Sequence, residues 1–66
     1  MSWSIKAARV NAGYTQKGAA EALGVSEKTV CNWEKGSAVP MADKFVEMCR
    51  LYGVSMDDII LPSKSG

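Results

Sequence analysis

The turn between the second and third predicted helices constrains the fold more than any other feature of the chain. Gly24 suits the left-handed position that follows a helix end, and Ser26 suits the position that caps a helix start. Only Val25 separates them. With a small Ala20 before the turn and an apolar Val30 after it, the two helices can approach closely and cross at a steep angle.

The other glycines, prolines and small hydroxyl residues divide the chain into five predicted helices, with no alternating strand pattern and no internal repeat. The helices are expected at about 4–12, 15–23, 26–35, 41–52 and 56–60. In the fourth, an i, i+3, i+4, i+7 spacing predicts one buried face made of Phe45, Met48, Cys49 and Tyr52. The prediction is an all-α, compact five-helix domain over residues 1–62, followed by a polar tail at 63–66.

The composition limits the functions that the chain can have. A chain of 66 residues has room for one domain and little room for an active-site cleft. It has no histidine, no clustered carboxylates and no glycine-rich phosphate loop, so we do not expect an enzyme. Cys31 and Cys49 are too few ligands for a structural zinc site, and a reducing compartment disfavours a disulfide between them. We expect no metal and no cofactor.

Charge and hydropathy bear on location and partners. Neither a signal peptide nor an apolar run of the ~20 residues that span a membrane is recognised, so a cytoplasmic protein without a membrane partner is expected. The net charge of +1 is weak for a nucleic-acid-binding protein. Residues 1–36 carry +2 and the remainder −1, which mildly favours the N-terminal half as the side that meets a polyanion.

The third predicted helix has two chemically different sides. At about 100° per residue, an inward Val30 places Trp33 and Glu34 within about 60° of the same direction, and leaves Lys28 and Asn32 almost opposite. A helix with that exposed side can enter the major groove of double-stranded DNA, where lysine donates to guanine and asparagine pairs with adenine. We therefore expect Lys28 and Asn32 to read bases.

Two neighbours on this helix are further candidates for base contacts. Glu27 can accept from a cytosine amino group, and Thr29 can contact a thymine methyl group. Glu27 equally suits the positive end of the helix dipole, so simple helix stabilisation is an alternative. Cys31 lies to one side of this face and is expected to be an inert small residue.

The inward carboxylate of Glu34 needs a partner, because water is scarce beside Val30 and Trp33. Arg9 is the natural candidate, since it shares a side of the first helix with the apolar Ile5 and its planar guanidinium can hold a carboxylate through two hydrogen bonds. We expect this structural salt bridge to fix the angle between the first and third helices. Two unrelated surface charges are the alternative.

Phosphate contacts are expected at both ends of the helix pair. The free amides at the start of the second helix can bind a phosphate oxygen, and lysines beside the reading helix can neutralise phosphates. The candidates are Thr15, Gln16, Lys17, Lys35 and Ser37. Any soluble helix displays lysines on its surface, so the arrangement of the whole set is stronger evidence for phosphate binding than each residue alone.

The last predicted helix carries more apolar area than it can bury in its own domain. Ile59 is expected in the core, with Trp3 close by. Met56, Ile60 and Leu61 are expected at a homodimer interface, formed in solution or only on DNA, because pairing sets two reading helices one helical turn, about 34 Å, apart. Packing of this segment against the first helix is an equal alternative.

A set of residues spread over the chain matches a known pattern: Thr15-Gln16, Ala20, Leu23-Gly24-Val25-Ser26, Val30, Trp33-Glu34, Gly36, Pro40 and Leu51-Tyr52-Gly53-Val54-Ser55. In these residues the sequence resembles the Cro and phage-repressor helix-turn-helix family, often called XRE-like, over nearly its whole length. The resemblance implies a five-helix lambda-repressor-like domain, a two-fold operator, an arginine-glutamate pair at Arg9 and Glu34, and a phosphate contact at Gln16. The implied reading surface is residues 27, 28, 29 and 32.

Two features depart from the family pattern. Gly18 stands where a glutamate or a similar residue is usual, which removes the usual capping partner of Thr15 and weakens the helix by about 1 kcal/mol relative to alanine. The loop after Gly36 lacks the extra basic residues of many relatives, which lowers the expected non-specific affinity for DNA.

The leading hypothesis is a sequence-specific transcriptional regulator, a Cro-like or repressor protein of a phage or mobile element that binds a two-fold operator as a dimer. The alternative is a protein-interaction module, antitoxin-like or a phage accessory protein, that uses the same fold. The weak net charge favours the alternative. The polar face at Lys28 and Asn32 favours DNA, since a protein-binding helix more often exposes aromatic residues or methionine.

Overall fold

The computed structural model describes residues 2–62, so the predicted polar tail at 63–66 lies outside the described residues. In chain order the elements are β1 (Trp3–Ser4), α1 (Ile5–Asn11), α2 (Gln16–Leu23), α3 (Glu27–Lys35), α4 (Ala42–Tyr52), a single 3₁₀ turn (Met56–Asp58) and β2 (Ile59–Ile60). The all-α class is confirmed, but the described chain has four α-helices and not five.

Three of the helices begin at a hydroxyl residue whose side chain accepts a hydrogen bond from a backbone amide of the first turn. The acceptors are Ser4, Thr15 and Ser26. Gly18, the departure noted in the sequence, donates its amide to the Thr15 hydroxyl at 2.9 Å, so α2 keeps half of the usual cap. The hydroxyl residues therefore mark the helix starts as the sequence predicts.

The prediction of a fifth helix at 56–60 is wrong. The Ser55 hydroxyl accepts from the amide of Asp57, but the turn that it starts is a single 3₁₀ turn. Ile59 is then extended, with φ −87° and ψ 129°, and pairs in parallel with Trp3. Two consecutive β-branched isoleucines favour an extended chain, and the available partner strand outweighs the capping signal before them. This pairing creates a two-stranded sheet that the sequence pattern did not indicate.

The core collects one side of each of the four helices. Its buried apolar members are Ile5, Ala8, Ala19, Ala20, Leu23, Val30, Trp33, Met48, Cys49 and Tyr52. Phe45 of the predicted α4 face and Ile59 of β2 are partly buried and pack against this core, as does Trp3. Burial of these stripes fixes which side of α3 is left to solvent.

α4 also closes the carboxyl end of α2. The Lys44 ammonium lies 2.8 Å from the carbonyl oxygen of Leu23 and 3.1 Å from Glu47 Oε2. A cation at this end of a helix satisfies a free carbonyl and complements the helix dipole. The contact holds α2 in place directly before the turn at Gly24.

Residues 2–62 contain no candidate membrane span and no candidate metal centre. Their helices lack the length and apolar character that a bilayer crossing requires. In the same range, no three side chains of the His, Cys, Asp or Glu type lie close enough to share an ion.

Candidate nucleic-acid interface

α2 and α3 meet at a turn of minimal length. α2 ends at Gly24, whose φ of +71° lies in the left-handed region that L side chains avoid. The Val25 amide donates to the Ala20 carbonyl at 3.0 Å, and Ser26 starts α3 by accepting from the Thr29 amide at 3.1 Å. Ala20 is buried, so its small side chain lets the two helix backbones approach closely.

α3 has an inner and an outer face. On the inner face, Val30 is fully buried and Trp33 is 5% exposed. On the outer face, Lys28 is exposed and Asn32 is partly exposed. Neither of these two side chains has a hydrogen bond or an ion pair with another residue in the range 2–62. The outer face therefore leaves an ammonium group and a carboxamide free to meet a ligand.

The two flanking candidates differ in their freedom. Glu27 is exposed in the first turn of α3, where its carboxylate also suits the helix dipole. The Thr29 hydroxyl lies 2.8 Å from the Ser26 hydroxyl, and this hydrogen bond fixes the side-chain rotamer. Thr29 is therefore better placed to offer its methyl group than its hydroxyl.

On the inner face, the Glu34 carboxylate is held by Arg9 of α1. Arg9 Nε lies 2.6 Å from Glu34 Oε2 and Nη2 lies 3.4 Å from Oε1, and the two side chains are 8% and 5% exposed. Arg9 Nη1 also donates to the Tyr14 carbonyl at 2.7 Å. One guanidinium thus joins α1, the following loop and α3 through a two-contact ion pair.

A third side chain contacts the Arg9–Glu34 pair, and the sequence did not indicate this contact. Gln16, at the first position of α2, donates from Nε2 to Glu34 Oε1 at 3.0 Å. The sequence places Glu34 on an inner face and Gln16 at a helix start, but their contact depends on the angle at which α2 and α3 cross. We call the three side chains of Arg9, Gln16 and Glu34 the carboxylate cluster.

A buried tyrosine lies within the electrostatic influence of this cluster. Tyr52 is 4% exposed, its hydroxyl has no hydrogen-bond partner within the described chain, and its ring centroid lies 6.2 Å from that of Tyr14. Burial first, and then the negative charge of Glu34, raise the pKa of Tyr52 from 10.0 to about 12. Tyr52 is therefore neutral throughout the physiological pH range.

The candidate phosphate contacts lie in two segments, one at the start of α2 and one at the carboxyl end of α3. In the first segment, the amides of Gln16 and Lys17 come before any carbonyl partner within α2, and the side chains of Thr15 and Lys17 are exposed. In the second segment, Lys35 and Ser37 are exposed. Exposed donor and cationic groups thus lie at the start of α2 and at the carboxyl end of α3, which the bond between Gln16 and Glu34 brings close together.

The candidate dimer residues form an exposed apolar strip near the carboxyl end of the described chain. Met56, Ile60 and Leu61 are 48%, 60% and 40% exposed. Ile60 is held in place because β2 pairs with β1, where Ser4 is its partner.

A short helix, a minimal turn and a second helix with a free polar face together define a helix-turn-helix domain. A family model described as helix-turn-helix matches residues 5–59 of the chain. The chain therefore belongs to the helix-turn-helix family, of the XRE type, and the resemblance seen in the sequence is confirmed.

Three relatives from Bacillus subtilis (strain 168) are similar to the chain. The HTH-type transcriptional regulator ImmR is 39% identical over 56 residues, which are 85% of this chain and 44% of ImmR, so the chain spans less than half of that relative. The uncharacterized HTH-type transcriptional regulator YgzD is 32% identical over 59 residues, 89% of each chain. The uncharacterized HTH-type transcriptional regulator YazB is 35% identical over 60 residues, 91% of this chain and 87% of YazB.

Proposed function

We propose that the protein is a transcriptional regulator that binds double-stranded DNA sequence-specifically through the outer face of α3. The observation that carries the proposal is that Lys28 and Asn32 point away from the core without partners in residues 2–62. In the major groove, lysine donates to guanine O6 or N7, and asparagine pairs with adenine N6 and N7. The names of all three relatives describe transcriptional regulators, which supports the same class.

The remaining contacts divide into base reading and positioning. Glu27 accepts from a cytosine amino group, and Thr29 packs its methyl group against a thymine methyl. Contacts to the phosphate backbone come from Thr15, Gln16, Lys17, Lys35 and Ser37. These contacts fix the register of α3 in the groove and carry little sequence information themselves.

The proposed functional form is a homodimer on a two-fold operator, joined at the apolar strip of Met56, Ile60 and Leu61. A standard interface removes about 800 Å² from each partner, close to one fifth of the 4176 Å² surface of this chain. Three partly exposed side chains supply less than that, so the dimer is weak in solution and completed when two protomers occupy half-sites about 34 Å apart. The resemblance to Cro and phage repressors supports a repressor of a phage or mobile element.

The salt dependence of binding to duplex DNA tests the proposal. Each neutralised phosphate contributes about −0.9 to the slope of log K against log salt concentration, so two lysines per half-site predict about −1.8 for one half-site and about −3.6 for a dimer on both. Selection of duplexes from a random pool supplies the preferred sequence. A flat salt response, or no preferred sequence, would contradict the proposal and favour a protein-interaction module with the same fold.

A further inference from the structure

The contact between Gln16 and Glu34 selects one of two orientations of a side-chain amide. A glutamine amide has a donor end and an acceptor end of nearly equal shape, so turning it over exchanges the two. An ionised carboxylate only accepts hydrogen bonds, so the nitrogen end of Gln16 is the end that can face Glu34. The 3.0 Å distance between Gln16 Nε2 and Glu34 Oε1 corresponds to that orientation.

Glu34 is itself unable to turn away from Gln16. Its two oxygens are held by Arg9 at 2.6 and 3.4 Å, and the Arg9 guanidinium is anchored on the Tyr14 carbonyl at 2.7 Å. Both charged side chains are less than a tenth exposed, so breaking the pair would leave a buried charge without compensation. The orientation of Gln16 is therefore set by the packed interior and not by solvent.

The amide nitrogen of Gln16 carries two hydrogens, and the bond to Glu34 occupies one of them. Gln16 is partly exposed in the first turn of α2, beside the amides at the helix start. We propose that Glu34 is a positioning residue for DNA binding, which holds Gln16 so that its second N–H donates to a backbone phosphate. This inference rests on the proposed function and adds to it a residue that touches no DNA.

Two physical consequences make this arrangement useful. A free glutamine loses rotamer freedom when it binds, and its oxygen end would repel a phosphate, whereas a glutamine fixed in advance avoids both costs. Glu34 also belongs to α3, so the phosphate contact at the start of α2 and the base-reading face move as one rigid unit. The register of the reading helix is thus set through the carboxylate cluster.

A double-substitution cycle on duplex affinity tests the inference, with the whole chain and the duplex selected from the random pool. Gln16→Met keeps the shape without the donor and is expected to weaken binding about tenfold, the effect of one hydrogen bond to a charged group. Glu34→Gln can turn an amide nitrogen toward Gln16, so the Gln16 amide is no longer held in one orientation. A similar loss of duplex affinity is expected. The double variant is expected to bind no worse than either single variant, with circular dichroism used to choose a temperature at which each is folded.

Lys17→Met is the matched control, because Lys17 lies in the same turn of α2 and makes no contact with Glu34 among the described residues. In the double variant of Lys17→Met and Glu34→Gln, the fold-losses of affinity from the two single substitutions are expected to multiply, because the two residues act independently. If the losses from Gln16→Met and Glu34→Gln also multiply, or if Gln16→Met binds like the native chain, the inference is wrong while the proposed function stands. Absent salt dependence in the native chain contradicts the proposed function itself.

A second measurement avoids any substitution of Glu34. In the NMR spectrum of the free native protein, one of the two side-chain amide protons of Gln16 is expected to be shifted away from the position of a solvent-exposed glutamine by its bond to a carboxylate. Addition of the duplex is expected to shift the other proton more strongly. Both signals at the positions of a solvent-exposed glutamine in the free protein would overturn the inference even if Glu34→Gln fails to fold.

Discussion

The inner and outer faces of α3 both carry charged and polar side chains, but only the inner ones have fixed partners. Glu34 is 5% exposed and is bonded to Arg9 and Gln16, whereas Lys28 is exposed and has no partner in residues 2–62. The environment of a charge, more than its sign, therefore decides whether its main contribution is to stability or to recognition. Inner-face substitutions should change mainly the free energy of unfolding and reach DNA affinity only through Gln16, whereas outer-face substitutions should change DNA affinity directly.

The largest expected effect is on the inner face. Arg9→Ala removes the only cation that contacts the Glu34 carboxylate among the described residues, and it should lower the free energy of unfolding by about 3–5 kcal/mol. Urea denaturation followed by circular dichroism measures this loss. Lys28→Ala is the matched outer-face variant and should stay within about 0.5 kcal/mol of the native chain. Near-native stability of Arg9→Ala would remove the distinction between the two faces.

High pH should destabilise the inner side of the domain through Tyr52. Because folding raises the pKa of Tyr52 from 10.0 to about 12, the unfolded chain releases this proton first as pH rises. The stabilising contribution is therefore fully present below pH 10 and is lost between pH 10 and about 12, by about 2–3 kcal/mol in total. Denaturation curves across this range measure the loss.

Tyr52→Phe is the control for the titration, since other groups also lose protons at high pH. The Tyr52 hydroxyl has no hydrogen-bond partner in residues 2–62, so the substitution should change stability at pH 7 by less than about 1 kcal/mol. It should also flatten the decline above pH 10. Equal declines in the native chain and in Tyr52→Phe would show that burial beside Glu34 does not affect this proton.

Features that depend on local signals could be predicted from the sequence. Glycines and hydroxyl residues marked the ends of α1 to α3, and the helical repeat separated Val30 and Trp33 from Lys28 and Asn32. The carboxylate of Glu34 on the inner side of α3 then predicted a buried cation as its partner. These inferences succeed because each needs only neighbouring residues or the repeat of one helix.

Features that depend on how distant segments meet could not be predicted. β1 and β2 are two residues each, lie near opposite ends of the described chain and take their extended form from each other. The bond between Gln16 and Glu34 depends on the crossing angle of α2 and α3, which the periodicity of either helix leaves open. The position of Lys44 over the Leu23 carbonyl likewise depends on how α4 packs against α2.

On the outer face, Lys28→Ala should relax the preference for one base pair and cost about 1–3 kcal/mol of binding free energy on the preferred duplex. Competition between the preferred duplex and single-base variants measures the change. Lys35→Ala is the comparison, because loss of a phosphate contact should weaken binding to all sequences alike and reduce the salt slope by about 1 for each half-site. Identical behaviour of the two variants would show that the assigned roles are wrong.

The smallest effect is expected at the border between the faces, where the Thr29 hydroxyl is bonded to Ser26 and the methyl group is left to read DNA. Replacing the contacted thymine by uracil, which lacks the methyl group, should weaken binding of the native chain about fourfold, close to 0.8 kcal/mol for one buried methyl. Thr29→Val keeps the methyl group and should show the same loss, whereas Thr29→Ser should be insensitive to uracil. An equal affinity of the native chain for the thymine and uracil duplexes would contradict the methyl contact, and weaker binding of Thr29→Val than of Thr29→Ser to the same duplex would mean that the hydroxyl leaves Ser26 in the complex and hydrogen-bonds to DNA.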